Sequence, residues 1–410
     1  MKSSDFDALA AWVTKAGLVG RGETELMVGF CRRMVKAGLP LARAMVILDT
    51  LHPIYEGRVF RWRADQPDEV EAVDYGRTSE GEAAESWRRS PFFHLLNTGG
   101  EMLRRRLCAG DPCDFPAIEQ ARDEGVTDYL ALVQRFADEG VIGEMDCVYS
   151  SWLTGAATGF DDHDVGAIKR LAPFLKLALK SATLARMTAT LAETYLGRDP
   201  ARRVMAGHIL RGVAEKIGAV LWYSDLHGYT QISDTVPPEQ IIPLLNDYAD
   251  VIVSAVHQYG GDVLKLVGDG TLAIFAGEDR GAACRAALGA AATVRSYAGE
   301  LNRRRATKSL PTAEVYLALH VGDVFYGNVG SKDRLDFTVI GPAVNEVSRI
   351  LAMSRSIEQN LLLSASFAEM LERDIRTHLV SVGRYALRGV ARPQELFTLE
   401  PGFEAAVAPL

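Results

Sequence analysis

The stretch DVLKLVGDGTLAIF, at residues 262–275, constrains the fold of this chain most strongly, because its pattern is that of a β-hairpin. Two apolar runs flank residues 268–270, and an Asp-Gly step between β-forming runs is typical of a tight turn. Apolar positions in residues 237–258 recur every three to four residues, which predicts an amphipathic helix that the glycines at 260–261 end. A helix followed by a hairpin places Asp269 at the hairpin tip.

A second acidic residue, Asp225, lies in the motif YSDLHGYT at residues 223–230. Residues 219–223 are apolar, β-branched and aromatic, so they predict a buried strand that gives way to a loop containing Gly228. Taken alone, an Asp in the position of Asp225 more often forms an Asx turn or caps the N-terminus of a helix. Asp269, taken alone, would be an ordinary turn residue. The interpretation changes when both are considered together.

Two carboxylates at the ends of adjacent sheet elements, each beside glycines, form a candidate metal and phosphate site. Hard divalent cations prefer carboxylate oxygens and substrate phosphates, and glycine-rich loops expose backbone N–H groups to anions. A nucleoside triphosphate with two Mg²⁺ ions suits such an arrangement. The turn interpretation remains compatible, because a tight turn presents a carboxylate in this way.

Three motifs then occur in order, namely YSDLHGYT, GGDVLKLVGDG at residues 260–270 and FTVIGPAVNEVSR at residues 337–349. Together they resemble the catalytic domain of class III nucleotidyl cyclases over about residues 218–400. The GGD at 260–262 is superficially similar to diguanylate cyclases, but the residues after it do not fit that family. The resemblance implies an α+β fold with a ferredoxin-like βαββαβ domain.

The resemblance also implies roles for individual residues. Asp225 and Asp269 would bind two metal ions, Mg²⁺ or Mn²⁺. Asn345 would orient the ribose, and Arg349 would neutralise charge on the α-phosphate. The backbone that would cradle the β- and γ-phosphates belongs to Leu226, His227, Gly228, Tyr229 and Thr230. Further candidate phosphate ligands are Arg334 and Arg388.

Lys265 matches the lysine that reads the base, and Thr338 matches its partner. Many family members have Asp at the second position, so Thr338 resembles the subclass called IIIb. An ammonium can donate to adenine N1, whereas guanine N1 is itself a donor and calls for a carboxylate. Lys265 therefore favours ATP, although without the flanking motifs an exposed strand lysine would be the better interpretation.

The resemblance implies that the ribose 3′-oxygen attacks the α-phosphate and pyrophosphate leaves. It further implies a head-to-tail homodimer, in which Asp225, Lys265, Asp269 and Thr338 act from one subunit and Asn345 and Arg349 from the other. Two rival functions are a guanylate cyclase, which Lys265 disfavours, and a catalytically silent nucleotide-sensing module. The second rival is disfavoured because competent residue types fill the expected positions.

The first part of the chain predicts helix, strands and exit helix, an order that resembles a GAF-type sensor domain. We expect this α/β GAF-like domain at 1–180, a helical linker at 181–216 and the cyclase domain at 217–402. An unknown small molecule or protein would regulate the first domain, or the domain would only be a dimerisation cap. Predicted elements are a helix at 23–36, strands at 42–48 and 58–63 joined as a hairpin, a helical stretch near 129–136, and a strand at 146–153.

The exit helix carries an apolar stripe from Val165 to Ala182, with Pro173 inside it. Such a heptad-like stripe suits packing on its own domain or pairing with a second chain. Because the exit helix leads towards the linker, we expect it to transmit regulation from the first domain to the cyclase domain.

Composition limits the other function classes. A net charge of -8 over 410 residues gives no general attraction to nucleic acid, and the arginine runs at 104–106 and 303–305 suit solvated faces. The five cysteines are scattered, a zinc site at Cys108 and Cys113 lacks further ligands, and no signal peptide opens the chain. No apolar stretch approaches the roughly 20 residues of a membrane-spanning helix. We therefore expect a soluble, cytoplasmic protein.

Overall fold

The computed structural model describes residues 1–136, 147–390 and 392–400. The chain divides into two compact units, Met1–Leu191 and Ala192–Leu410. This division falls inside the linker expected at 181–216, and the limits of the domains themselves stay predictions. Within the described ranges, no helix is both long enough and apolar enough to cross a membrane.

The first unit is built on an antiparallel sheet in the order β3-β2-β1-β6-β5-β4. The strands are β1 (Arg43–Asp49), β2 (Gly57–Arg63), β3 (Gln66–Tyr75), β4 (Met102–Arg106), β5 (Asp128–Arg135) and β6 (Cys147–Thr154). The helices are α1 (Ser3–Leu18), α2 (Glu23–Lys36), α3 (Gly81–Arg88), α4 (Pro91–Thr98), α5 (Pro116–Asp123) and α6 (Asp162–Leu196). One sheet face packs against α1, α2 and α6, and the other against α3, α4 and α5.

The predicted helix at 23–36 and the hairpin of β1 and β2 are confirmed. The helical stretch expected near 129–136 is wrong, because residues 128–135 form β5. Leu130 and Leu132 face one core while Tyr129, Ala131 and Val133 face the other. A strand buried on both faces shows no alternation, so its sequence cannot be told from a buried helix. The strand expected at 146–153 is found as β6, although residue 146 lies outside the described residues.

The exit helix is α6, which continues through Pro173 to Leu196. Asp161 caps its start, since the Asp164 N–H donates to the Asp161 carboxylate at 2.6 Å. Of the two packing modes left open by the stripe, the structure has the first: Val165, Ile168 and Leu175 are buried in the core of their own unit. The GAF assignment of this unit stays a prediction.

The second unit contains a mixed sheet in the order β13-β14-β12-β10-β7-β9-β8, with β11 paired to β10. Its strands are β7 (Ala214–His227), β8 (Asp262–Val267), β9 (Gly270–Ala276), β10 (Glu314–Gly330), β11 (Leu335–Ile340), β12 (Leu361–Ser364), β13 (Leu379–Tyr385) and β14 (Gln394–Leu399). Its helices are α7 (Arg198–Met205), α8 (Tyr229–Thr235), α9 (Pro238–Gln258), α10 (Arg280–Thr307), α11 (Pro342–Ile357), α12 (Ala365–Met370) and α13 (Arg373–Arg376).

The succession β7-α9-β8-β9-α10-β10, with antiparallel neighbours in the order β10-β7-β9-β8, is the ferredoxin-like arrangement expected from the sequence. Successive side chains of a strand point to opposite faces, and β7 follows this rule. Val220 and Trp222 pack with α9 and α10, while Ala219 and Leu221 pack with α11 and β11. The central strand β7 therefore carries Asp225 towards one end of a sheet that helices cover on both faces.

Candidate active site

Asp225 and Asp269 are brought together at one end of the sheet. Asp225 lies near the end of β7, and Asp269 lies at the tip that joins β8 to β9. The backbone N–H of Leu226 donates to Asp269 Oδ2 at 3.2 Å, which ties the hairpin tip to β7. Gly268, with φ of 62°, supplies the left-handed conformation that this tight turn needs. The two carboxylates predicted as metal ligands are thus neighbours.

The Asp225 carboxylate is poorly satisfied by the protein itself. Its Oδ1 is buried and has no hydrogen-bond partner among the described residues. Its Oδ2 lies 3.4 Å from Nη2 of Arg355, a half-exposed ion pair. Burial raises the pKa of Asp225, Arg355 opposes this shift, and the nearby Asp269 adds to it. A buried carboxylate oxygen without a donor is costly unless a ligand satisfies it.

This unsatisfied oxygen fits a divalent cation. The described part of the chain contains no cluster of three or more His, Cys, Asp or Glu side chains that could hold a metal alone. Mg²⁺ is commonly held by one or two carboxylates together with waters and substrate phosphates. Asp225 and Asp269 provide that partial shell, so the residues present suit metal binding that depends on a phosphate-bearing substrate.

The raised pKa of Asp225 predicts a gain in stability for Asp225→Asn in metal-free protein. A carboxyl group whose folded pKa is raised binds its proton more tightly in the folded state, so ionisation costs stability as pH rises above the unfolded pKa. We expect Asp225→Asn to raise Tm at pH 7 and to lose that advantage near pH 3. Thermal unfolding of both proteins in EDTA across this pH range measures the effect. An equal or lower Tm of the variant at pH 7 would contradict it.

The segment predicted to cradle phosphates follows Asp225 directly. Gly228 has φ of 74° and precedes α8, which begins at Tyr229. The His227 ring stacks on Tyr316, with centroids 4.4 Å apart. The Leu226 N–H already donates to the Asp269 carboxylate, so this group of the predicted cradle has a protein acceptor. The roles of these backbone groups stay predictions.

The predicted base-reading residues lie on β8 and β11. Lys265 forms an ion pair with Asp336, a residue that the sequence analysis missed. Asp336 and Thr338 are two positions apart on β11, so they lie on the same side of that strand. The spacing of two residues between Asp336 and Thr338 is the sequence signal that could have identified Asp336. The contact brings the Lys265 ammonium to the strand that carries Thr338.

Asn345 and Arg349 lie on α11 and line a groove of about 490 Å³ with Val339 and Ile340. The Arg349 guanidinium lies against Gly389, where an added Cβ would be 3.2 Å from Nη1. The predicted pairing of Asn345 and Arg349 on one helix is therefore confirmed as geometry, while their catalytic roles stay predictions. Arg334 is exposed in the loop between β10 and β11, and Arg388 is exposed beside Gly389.

Asp225 and Asn345 are far apart within one chain. Asp225 is opposite Tyr316 in the sheet, whereas the start of α11 lies on Gly322, where an added Cβ would be 2.4 Å from Ala343 Cβ. Tyr316 and Gly322 are six residues apart on β10, which is about 20 Å at the rise of a β-strand. The helix gives a similar value, because Arg355, beside Asp225, is about 15 Å along α11 from Asn345 at 1.5 Å per residue.

Comparisons with known proteins bear on the second unit. Residues 214–401 match the family described as the adenylate and guanylate cyclase catalytic domain. An adenylate cyclase from Anabaena cylindrica is 31% identical over 160 residues, which are 39% of this chain and 32% of that protein. The chain thus matches about a third of the length of this relative.

Solved structures similar to this chain include two cyclases. The adenylyl cyclase CyaB from P. aeruginosa is 24% identical with a TM-score of 0.42, and the similarity covers 46% of this chain and 95% of CyaB. The guanylyl cyclase Cya2 is 21% identical with a TM-score of 0.40, covering 46% of this chain and 96% of Cya2.

Proposed function

We propose that residues 214–401, which are a catalytic domain of the adenylate and guanylate cyclase family, convert ATP to 3′,5′-cyclic AMP and pyrophosphate. The observation that carries this proposal is the carboxylate pair Asp225 and Asp269, held together at one sheet end with a buried oxygen for which the described part of the chain provides no donor. The sequence expectation of two Mg²⁺ or Mn²⁺ ions at this pair is retained as part of the proposal.

Asp225 and Asp269 would hold the ions against the triphosphate. When bound, such ions favour attack of the ribose 3′-oxygen on the α-phosphate and steady the pyrophosphate that leaves. Asn345 orients the ribose, and the Arg349 guanidinium neutralises charge that develops on the α-phosphate. These side chains position and stabilise, and no protein nucleophile is required.

Lys265 is the basis for proposing adenine. Its ammonium donates to adenine N1, while guanine N1 carries a hydrogen and would face a second donor. The ion pair with Asp336 keeps the Lys265 side chain beside β11, where Thr338 also lies. The pair is partly exposed, so an incoming base can displace Asp336 from part of the ammonium at modest cost.

The separation within one chain supports a site shared by two chains. Asp225 and Asn345 lie about 15 to 20 Å apart along the sheet and α11, too far to act together on one reaction centre, since transition-state contacts require hydrogen-bond distances. We therefore propose a head-to-tail homodimer, in which Asp225 and Asp269 of one chain meet Asn345 and Arg349 of the other. Two-fold symmetry then produces two equivalent sites.

The contact of Lys265 with β11 suggests that Lys265 and Thr338 do not act from the subunit that the sequence analysis assigned to them. Lys265 is ion-paired to β11, and β11 leads through Gly341 directly into α11 with Asn345. We propose that Lys265 and Thr338 act together with Asn345 and Arg349, opposite the carboxylate pair of the other subunit.

We also propose that the first unit regulates the cyclase. The support is that α6 begins in the core of the first unit at Asp162 and ends at Leu196, past the division between the units. A helix that is continuous across this division can transmit a change at its start to the chain entering β7. A GAF-like fold and a cytoplasmic location remain part of this proposal.

The proposed function is tested by incubating the full chain with ATP or GTP and with Mg²⁺ or Mn²⁺, then measuring cyclic product. We expect cyclic AMP to predominate. Lys265→Glu should lower kcat/KM for ATP about tenfold or more, because adenine N1 would then face an acceptor. Lys308→Glu, at an exposed site beyond α10, is the charge-matched control and should behave as wild type. Predominant cyclic GMP would indicate the guanylate cyclase, and absence of both products would indicate the silent module.

A further inference from the structure

The first unit contains a buried lysine that the proposed reaction does not use. Lys176, on the inner side of α6, is 2% exposed. No ion pair or hydrogen bond joins its ammonium to another residue in the described ranges 1–136, 147–390 and 392–400. Lysine is almost never fully buried unless it is paired, because an isolated charge loses its hydration. The position therefore calls for a counter-charge that the described residues do not supply.

Lys176 lines a cleft of about 560 Å³ between α6 and the end of β5. The size is that of a pocket for a small organic molecule rather than for a single inorganic ion. Its charged lining comprises Lys176, Lys169, Arg135 and Glu101, so cations outnumber the carboxylate by three to one. Apolar contacts would come from Met102, Leu132, Val133, Ala172 and Pro173.

Burial lowers the pKa of Lys176 to about 8, and the nearby Cys147 opposes this shift. A base whose folded pKa is lowered costs stability when it is charged, so that cost is present at pH 7 and falls as pH rises above 8. An anion bound beside the ammonium would remove the cost by supplying the missing charge. Arg135 and Lys169, from β5 and α6, add to the attraction, while Glu101 reduces it.

We propose that this cleft binds a small organic anion, whose carboxylate or phosphate pairs with Lys176 while an apolar body packs between α6 and β5. The buried ammonium, which has no partner among the described residues, supplies the specificity for negative charge. The mixed lining of cationic and apolar residues selects a ligand that has both parts. The inference concerns the first unit alone and does not depend on the cyclase reaction.

Calorimetric titration of the full chain at pH 7 tests the proposal, with phenyl phosphate and benzoate as anionic probes and benzamide as the neutral match. We expect at least one anionic probe to bind and benzamide not to bind. Lys176→Met should weaken that binding about tenfold or more, the loss typical of a hydrogen bond to a charged group. Lys308→Met, remote in sequence and exposed, should leave it unchanged.

Folding of the variant is checked in the same samples, because removal of an unpaired buried charge should raise Tm at pH 7. A second measurement needs no variant: the bound anion should slow the modification of Lys176 at pH 8 by trinitrobenzenesulfonate, an anionic amine reagent. Undiminished anion binding by Lys176→Met, equal binding of benzamide, or no binding of either anion would overturn the proposal.

Discussion

Asp225→Ala and Asp269→Ala are each expected to lose cyclase activity about a thousandfold or more, since ions at this site contribute several kcal/mol to the transition state and 1.36 kcal/mol is a factor of ten. Each substitution removes one of the two carboxylates available to hold the ions. Neither side chain belongs to the apolar cores of the unit, so the fold should persist. Production of cyclic nucleotide under saturating ATP and Mn²⁺ measures the effect.

Asp374→Ala is the matched control, because Asp374 is an exposed carboxylate on α13 and should be dispensable. A second readout separates metal binding from catalysis. Mn²⁺ with a non-cyclising ATP analogue should raise Tm of wild type and of the control, and should do so much less for the two variants. Substantial cyclase activity in either variant would rule out the proposed role of the carboxylate pair.

The sequence predicted those parts of the second unit whose local signals agree with their tertiary setting. The apolar period of α9, the glycines after it and the Asp-Gly turn each specify one local conformation. The fold then uses all of them, so Asp269 is found at the predicted tip. Asn345 and Arg349 were likewise predictable as a pair, because a spacing of four on a helix puts two residues on one face.

Other features depend on contacts between residues distant in sequence. The pairing of Lys265 with Asp336 joins strands that are not neighbours in the sheet, and Arg355 approaches Asp225 from another element. No local pattern encodes such meetings. The buried state of Asp225 Oδ1 is also invisible in sequence, since a strand-end Asp is usually solvated.

The first unit was harder to predict because its sheet is covered on both faces. Alternation disappears from β5, which led to the mistaken helix. The short helices α3, α4 and α5 have eight residues each, too few for a clear apolar period. Lys176 shows the same limit: in sequence it is one lysine of an amphipathic helix, and only the packing of α6 buries it.

The shared site is tested by mixing inactive variants. Asp225→Ala and Arg349→Ala homodimers should both be inactive, for different reasons. In a mixed dimer, one site carries both lesions and the other carries neither. Activity should return to about a quarter of wild type under random exchange, since half of the dimers are mixed and each has one intact site of two.

The same experiment decides which subunit supplies Lys265. If Lys265 acts with Asn345 and Arg349, as its contact with β11 suggests, Lys265→Ala should restore activity when mixed with Asp225→Ala but not with Arg349→Ala. The division expected from sequence requires the opposite pattern. Exchange of subunits is shown independently by mixing differently tagged chains and recovering both on one affinity resin. If exchange occurs and the mixture of Asp225→Ala and Arg349→Ala stays inactive, each site lies within one chain. The separation of about 15 to 20 Å between Asp225 and Asn345, along the sheet and α11, would then have to close by rearrangement inside that chain.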